Sequence, residues 1–474
     1  MRRANWESRM RKIDHVVVVA LENRSFDSML GRLYPKSERF DGLDGTESNP
    51  WHKPDGSVEQ VAVWNSRQLT ARAASIPSPD PGELFSDISE QIFGRGAAPE
   101  GPATMTGFVD NYAAQPPQNG TPDPRDVMHY FLPDQVPVIS RLAREFGVSD
   151  RWHASAPCET WPNRYFMHAG TGGGHVNNER GHFPYYRPSL ALPTIFRRLD
   201  ACGYSWRIYF HDLPQAATLV DLWAKIPTRF CLFEAEFERH AQSGRLAHYS
   251  FIEPRYFTSR RHQTVPNDQH PPHNMLYGEQ LIAAVYNAVR SAPSWPRTLL
   301  IVTYDEHGGC FDHVPPPPAV SPGGPYPDGF AFDRYGVRVP AVIVSPYVAP
   351  GSIIRPLARA ESEPSFPFDH CSIQATLHRL FGLGPPLTPR VAAAPDLLNA
   401  LSLAAPENHG PDRIDLEELS PTAVEVEMHH RLPRNRHQRN FRHPTLGLPA
   451  TTARLTAHIR GFGARATPPG WRRR

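Results

Sequence analysis

The sequence predicts an α/β protein whose central sheet is mostly parallel and covered by helices on both faces. Two apolar runs, residues 13–21 and 299–302, are rich in β-branched residues and lack the alternation of a half-exposed strand. Segments with helical spacing fall between runs of this kind, the pattern of strands joined by helical crossovers. With 474 residues the chain can bury a core of the size such a sheet needs.

Along the chain, residues 13–31 read as the first strand and a helix start. Residues 45–125, rich in Pro, Gly, Ser and Asn, read as an insertion or cap. Helical spacing at 137–146 precedes a short helix at about 160–169. There Thr160 takes the N-cap position, Pro162 suits the first turn, and Gly170 with Gly172, Gly173 and Gly174 ends it. A helix at 192–199 leads to a strand at 205–210, and helical spacing at 278–289 feeds the strand at 299. Residues 339–345 form another core strand. The 52 prolines, including Pro315, Pro316, Pro317 and Pro318, point to long ordered loops. Beyond about residue 390 the chain turns basic, at 428–439 and again at Arg472, Arg473 and Arg474. Such a stretch reads first as a solvated, partly disordered appendage, and second as a contact for nucleic acid or anionic lipid. The division is therefore 1–390 for the main domain, with 45–125 as its cap, and 391–474 as an extension.

Whole-chain composition excludes several classes. A net charge of +2 makes no general field for nucleic acid. Five cysteines without a CxxC pattern argue against a disulfide scaffold. No stretch is apolar enough for a membrane span, and the paired arginines at the start precede no apolar run, so the sequence as it stands predicts a cytoplasmic location.

Chemistry gathers where core strands end. Asp305 and Glu306 follow the 299–302 run and precede Gly308 and Gly309, while Glu22 and Asn23 follow the 13–21 run. Ligands collect outside the carboxyl ends of strands in open α/β sheets. Adjacent carboxylates at such a place need a compensating cation, and the two strand ends together offer oxygen ligands for a divalent metal. Helix capping alone also accounts for Asn23 and Ser25. Thr160 places a hydroxyl at a helix N-terminus, where backbone donors and the dipole favour a phosphate dianion, and Asn163 and Arg164 add donors. Simple capping would explain Thr160 taken singly.

Taken in order, the 22–27, 160–164 and 304–309 segments resemble the bacterial phosphoesterases, a family joining phosphatidylcholine-type phospholipases C with respiratory-burst-inhibiting acid phosphatases. Segments 105–109, 268–272, 311–314 and 368–372 extend the resemblance from about residue 13 to 383. It implies an alkaline-phosphatase-like three-layer α/β sandwich with a loop-rich cap. It implies also that Thr160 attacks phosphorus and carries the phosphoryl group transiently. By the same resemblance Glu22, Asn23, Asp305 and Glu306, with Thr160, hold a divalent metal ion of unspecified identity. His270 then matches a phosphate-site histidine and is the first candidate to protonate the leaving group, ahead of His307 and His313. Arg164, His129, His313 and His370 are further candidates for contact with substrate. With 23 histidines in the chain, most must be structural or exposed. Relatives are often exported.

One departure stands out. Many relatives carry Asp-Pro-x-His where this chain has Asp80, Pro81, Gly82 and Glu83. Either the correspondence slips, or His129 substitutes, or the site differs enough to weaken catalysis. Three functions follow: a phospholipase C-type phosphodiesterase acting on phosphate esters such as phospholipid head groups, an acid-phosphatase-like phosphomonoesterase, or a non-catalytic binder of phosphate esters.

Overall fold

A computed structural model describes residues 12–97, 101–116, 122–178, 192–357, 365–417 and 419–440. Its centre is β1 (His15–Leu21), flanked in register by β7 (Tyr249–Ile252) and β8 (Thr298–Tyr304), both parallel to it. The full eight-stranded order is β10-β4-β9-β8-β1-β7-β5-β6. Here β4 is Gly147–Ser149, β5 Trp206–Phe210, β6 Phe230–Leu232, β9 Ala341–Val344 and β10 Ser352–Ile353. Only β9 runs against the others in this sheet, so the sheet is mostly parallel as predicted.

The apolar runs explain the centre. All of β8 and all but the first residue of β1 are buried, as strands covered on both faces must be. Strand β9 begins two residues later than the apolar pattern because Pro340 has no N–H to offer the ladder. Two groups of helices cover the sheet. The Pro137–Glu145 helix packs with Leu276–Arg290, and the Thr160–Ala169 helix packs with Cys371–Phe381 and Ile195–Ala201. Among the described residues, no helix is long and apolar enough to cross a membrane.

The 45–125 segment contains an antiparallel hairpin, β2 (Ser48–His52) with β3 (Val58–Ala62), and the helices Phe85–Phe93 and Phe108–Ala113. It has its own apolar cluster of Val61, Ile88, Ile92, Phe108 and Tyr112, which also takes in Phe311 and Val337 from the main domain. The cap is thus seated on the loop that follows β8. The basic extension, as far as it is described, is packed. Leu397, Leu398 and Leu401 lie in the main core, and Val426 of the Ala423–Arg431 helix buries against Val265 and Tyr277. Residues 441–474 lie outside the described residues.

One buried carboxylate joins the two long helices. Glu279 accepts backbone N–H bonds from Val138 (2.5 Å) and Ile139 (3.1 Å), which lack intrahelical partners at the start of Pro137–Glu145. Burial raises its pKa from 4.5 to about 7 despite those bonds. A raised carboxyl contributes stability that is complete below about 4.5 and lost as pH rises through about 7. The shift corresponds to something on the order of 3 kcal/mol. Glu279→Gln should therefore flatten the fall in melting temperature over that window and gain on the wild type at pH 8. Parallel wild-type and variant curves would show that Glu279 does not titrate there.

Candidate active site

Register sets the site. Leu21 of β1 pairs with Tyr304 of β8, so Glu22 and Asn23 leave the sheet beside Asp305 and Glu306. Asn23 has φ 54°, a left-handed conformation that Asn tolerates better than most residues. Its backbone N–H donates to Asp305 Oδ1 at 3.2 Å. Gly308 must be glycine: at φ 60°, a Cβ there would lie 2.3 Å from the Asn23 carbonyl oxygen. Its N–H donates to Glu306 Oε2 at 2.8 Å, fixing that carboxylate.

The Thr160–Ala169 helix arrives from the other side. Its entry loop is braced by Asn163, whose Oδ1 accepts from the Ala156 N–H (3.1 Å) and whose Nδ2 donates to the Cys158 carbonyl (2.7 Å). The amide predicted to face phosphate is thus engaged in holding the loop before Thr160. The Trp161 N–H donates to Asn178 Oδ1 at 2.8 Å, and Gly170 ends the helix at φ 71°. One turn in, fully buried Arg164 docks the helix on both strand ends. Its Nε donates to Asp305 Oδ2 (2.8 Å), and its Nη2 to the Ala20 (3.1 Å) and Leu21 (3.2 Å) carbonyls. That Nη2 is also 3.3 Å from Glu22 Oε1. Arg164 therefore acts on the acidic residues rather than being held out for substrate.

Most of what remains unsatisfied around this junction is oxygen, beside Arg164 Nη1. Both carboxylate oxygens of Glu22, Asn23 Oδ1, Glu306 Oε1 and Thr160 Oγ1 are buried with no hydrogen-bond partner. Asp305, by contrast, accepts at both oxygens, Oδ1 taking the Glu306 N–H at 2.8 Å as well. Burial and then the neighbouring Asp305 charge push the Glu22 pKa well up, and burial followed by Glu83 and Asp305 does the same to Glu306. Buried oxygen donors with uncompensated negative charge fit a divalent cation preferring oxygen ligands.

The histidines separate. His270 lies in the site, its Nε2 3.1 Å from Glu83 Oε1 and 3.0 Å from Asn23 Nδ2, and its Nδ1 2.6 Å from the Pro271 carbonyl. Burial pulls its pKa down, but the charges of Glu83 and Asp80 outweigh that and hold it well above the usual range. His307 lies beside Glu306 (3.4 Å) with Nε2 on Gln91 Oε1 (2.7 Å), and burial lowers it to about 3. His370 contacts the Asp305 backbone carbonyl through Nε2 (2.6 Å) and accepts from Trp152 at Nδ1 (3.4 Å), which makes it a neutral support for the strand end. His129 lies between Trp64 and Phe131 near Ser66, not at the position left open by Glu83. His313 belongs to another ionic cluster, on Asp27 (2.6 Å) and Asp41 (3.1 Å).

Two more residues enter the site, Glu83 and, unmarked in the sequence, His437. Glu83 is in the site itself, 2.6 Å from Asn23 Nδ2. His437, from the basic extension, is buried with Nδ1 3.3 Å from Glu22 Oε1 and accepts from Trp161 Nε1 at 3.2 Å. Its tight contact with Tyr256 (ring centroids 4.4 Å apart) continues that anchorage. Nothing local marks His437; the signal would have been a pairing between distant positions.

The fold and this junction define an ester-bond hydrolase, and the chain belongs to the Phosphoesterase family, whose model matches residues 13–384. It is 35% identical over 427 residues to non-specific phospholipase C3 of Arabidopsis thaliana, covering 88% of this chain and 78% of that protein. Non-specific phospholipase C1 of the same plant is 37% identical over 382 residues, 78% and 67% of the two chains. The non-hemolytic phospholipase C of Burkholderia pseudomallei is 27% identical over 481 residues, 87% and 62%. A solved putative sulfatase from Bacteroides thetaiotaomicron is similar at a TM-score of 0.32 and 11% identity, over 56% of this chain and 69% of that one.

Removing the guanidinium should unseat the junction. Arg164→Ala leaves Asp305 and Glu22 buried without their cation, which typically costs about 3–5 kcal/mol. We expect a clear loss of stability in urea or thermal unfolding; a melting curve superposable on the wild type would show that Arg164 does not hold the segments together.

Proposed function

We propose that the protein is a metal-dependent phosphodiesterase of the phospholipase C type, working through a transient phospho-threonine on Thr160. The observation that supports this best is the buried Thr160 hydroxyl, without a hydrogen-bond partner at its helix start, in a site whose Glu22, Asn23 and Glu306 oxygens are also unsatisfied. The printed names of the relatives at 35% and 37% identity point the same way.

The chain's own groups divide the work. Thr160 Oγ1 attacks phosphorus, and the backbone N–H groups of the first helical turn lie where charge builds on the phosphoryl oxygens. Asn163 holds the loop that presents Thr160, and Arg164 fixes the helix on the strand ends. His270, kept protonated by its carboxylate neighbours, donates a proton to the departing alkoxide and then takes one from the water that cleaves the phospho-threonine. His307, neutral and hydrogen-bonded to Gln91, supports Glu306. A divalent ion held by Glu22, Asn23, Glu306 and Thr160, with Asp305 between them tied to Arg164, would supply positive charge that favours the threonine alkoxide and the charged transition state. The substrate would be a phosphate diester such as a phospholipid head group.

The test uses p-nitrophenylphosphorylcholine against p-nitrophenyl phosphate. The diester should be the better substrate, and Thr160→Ala should lower its turnover by roughly a thousandfold or more. Mass spectrometry of acid-quenched wild type should find phosphate on Thr160. A preference for the monoester would favour the acid-phosphatase-like reading, and equal rates for wild type and Thr160→Ala on both would leave a binder. A chelator should abolish activity and also lower the melting temperature, because it exposes the repulsion between buried Glu22 and Glu306; one divalent metal should restore both. Full activity in metal-free protein would remove the ion from the proposal.

A further inference from the structure

Glu83 puts a carboxylate inside the site, in contact with both Asn23 and His270. The residue is buried, and the turn that carries it is fixed by backbone packing. A Cβ at Gly309 would lie 2.7 Å from Pro81 Cβ and 3.0 Å from the Gly82 carbonyl, so the 80–83 turn sits directly on the glycines that follow Glu306. Glu83 is therefore not a surface carboxylate that can swing away. Its Oε1 takes two donors at once, Asn23 Nδ2 at 2.6 Å and His270 Nε2 at 3.1 Å. Asp80 Oδ1 lies 3.6 Å from the other nitrogen of the same imidazole. Glu83 occupies donors there, and together with Asp80 it sets two carboxylates against the single positive charge of His270, so the group keeps a net negative charge.

Near neutral pH a phosphate monoester approaches a dianion, its second pKa being about 6, whereas a diester carries a single charge. Each added phosphate charge meets the same fixed carboxylate in a poorly solvated site, where such repulsion is little screened. We propose that Glu83 is a specificity-determining residue that makes the site select monoanionic phosphodiesters over dianionic monoesters. This rests on the phosphoesterase reading above and narrows its substrate class.

The experiment measures kcat/KM for methyl p-nitrophenyl phosphate, a monoanionic diester, and p-nitrophenyl phosphate at pH 7.5 in wild type, Glu83→Gln and Glu83→His. The diester-to-monoester ratio should fall about tenfold in the glutamine variant and further in the histidine variant, with monoester turnover itself rising. A ratio within about twofold of wild type, or a parallel loss of both activities, overturns the proposal. So does loss of bound metal in Glu83→Gln, which would make Glu83 a ligand instead. Should the variants not fold, calorimetric binding to wild type decides: phenylphosphonate monomethyl ester, a monoanion, should bind at least several-fold more tightly than dianionic phenylphosphonate, and the reverse order overturns the proposal. Because binding needs no turnover, a wild type that hydrolyses neither ester but shows this preference refutes the catalytic reading alone.

Discussion

The buried guanidinium of Arg164 is the interaction on which the rest of the structure depends. It is carried by the helix that begins at Thr160, and it reaches the carbonyls that end β1, the carboxylate that follows β8 and Glu22. Three pieces of chain far apart in sequence thus share one cation. Burying a guanidinium is costly unless its donors are matched, and here the strand ends supply the acceptors for Nε and Nη2 while Nη1 has none. Stability of the fold and the docking of the helix that begins at Thr160 onto the β1 and β8 ends are consequences of the same contact.

Arg164 does not neutralise the junction, however. Asp305 takes its Nε, leaving Glu22 and Glu306 with burial and like-charge neighbours pushing both pKa values up. The surrounding segments contribute support without adding much positive charge. The cap brings Glu83 and Gln91, the 268–272 turn brings His270, and the basic extension brings His437, which burial holds well below its usual pKa and so leaves neutral. Despite its many arginines, the extension delivers an uncharged imidazole to the acidic centre. Arg431 stays peripheral, paired with Glu427 on its own exposed helix face.

Much of this was legible in the sequence because it depends on local pattern. The β1 and β8 runs are continuous apolar segments, so their ends and the acidic residues just beyond them could be read directly. Strand β7, Tyr249–Ile252, is only four residues long and lies between polar stretches, so no periodicity announced it, although it pairs with β1. Local pattern also fails where partners are distant. The helix start near Thr160 was visible, but Glu159 rather than Thr160 takes the N-cap position, and the turn of the Asn163 amide back to the loop was not visible. Composition suggested a solvated appendage after residue 390, whereas Leu397, Leu401 and His437 find their contacts only in the folded chain.

His313 shows what separates a structural cluster from a functional one. Asp27, Asp312 and His313 group their ligand atoms as closely as a metal site would, and the Phe-Asp-His pattern drew attention to them. But Arg338 lies among them, donating to Asp312 Oδ1 (2.9 Å) and Asp27 Oδ1 (3.0 Å), and its guanidinium stacks over Phe26. Burial opposes protonation of His313, yet Asp27 and Asp41 outweigh it and raise the pKa to about 10, adding a second positive charge. That cluster therefore carries its countercharge within the chain. At the β1 and β8 ends the chain commits its arginine to Asp305 and leaves Glu22, Asn23, Glu306 and Thr160 with buried oxygens that have no hydrogen-bond partner. Acidic residues and histidine occur in both places; the difference is whether the polypeptide itself supplies partners for the buried oxygens or leaves them without any.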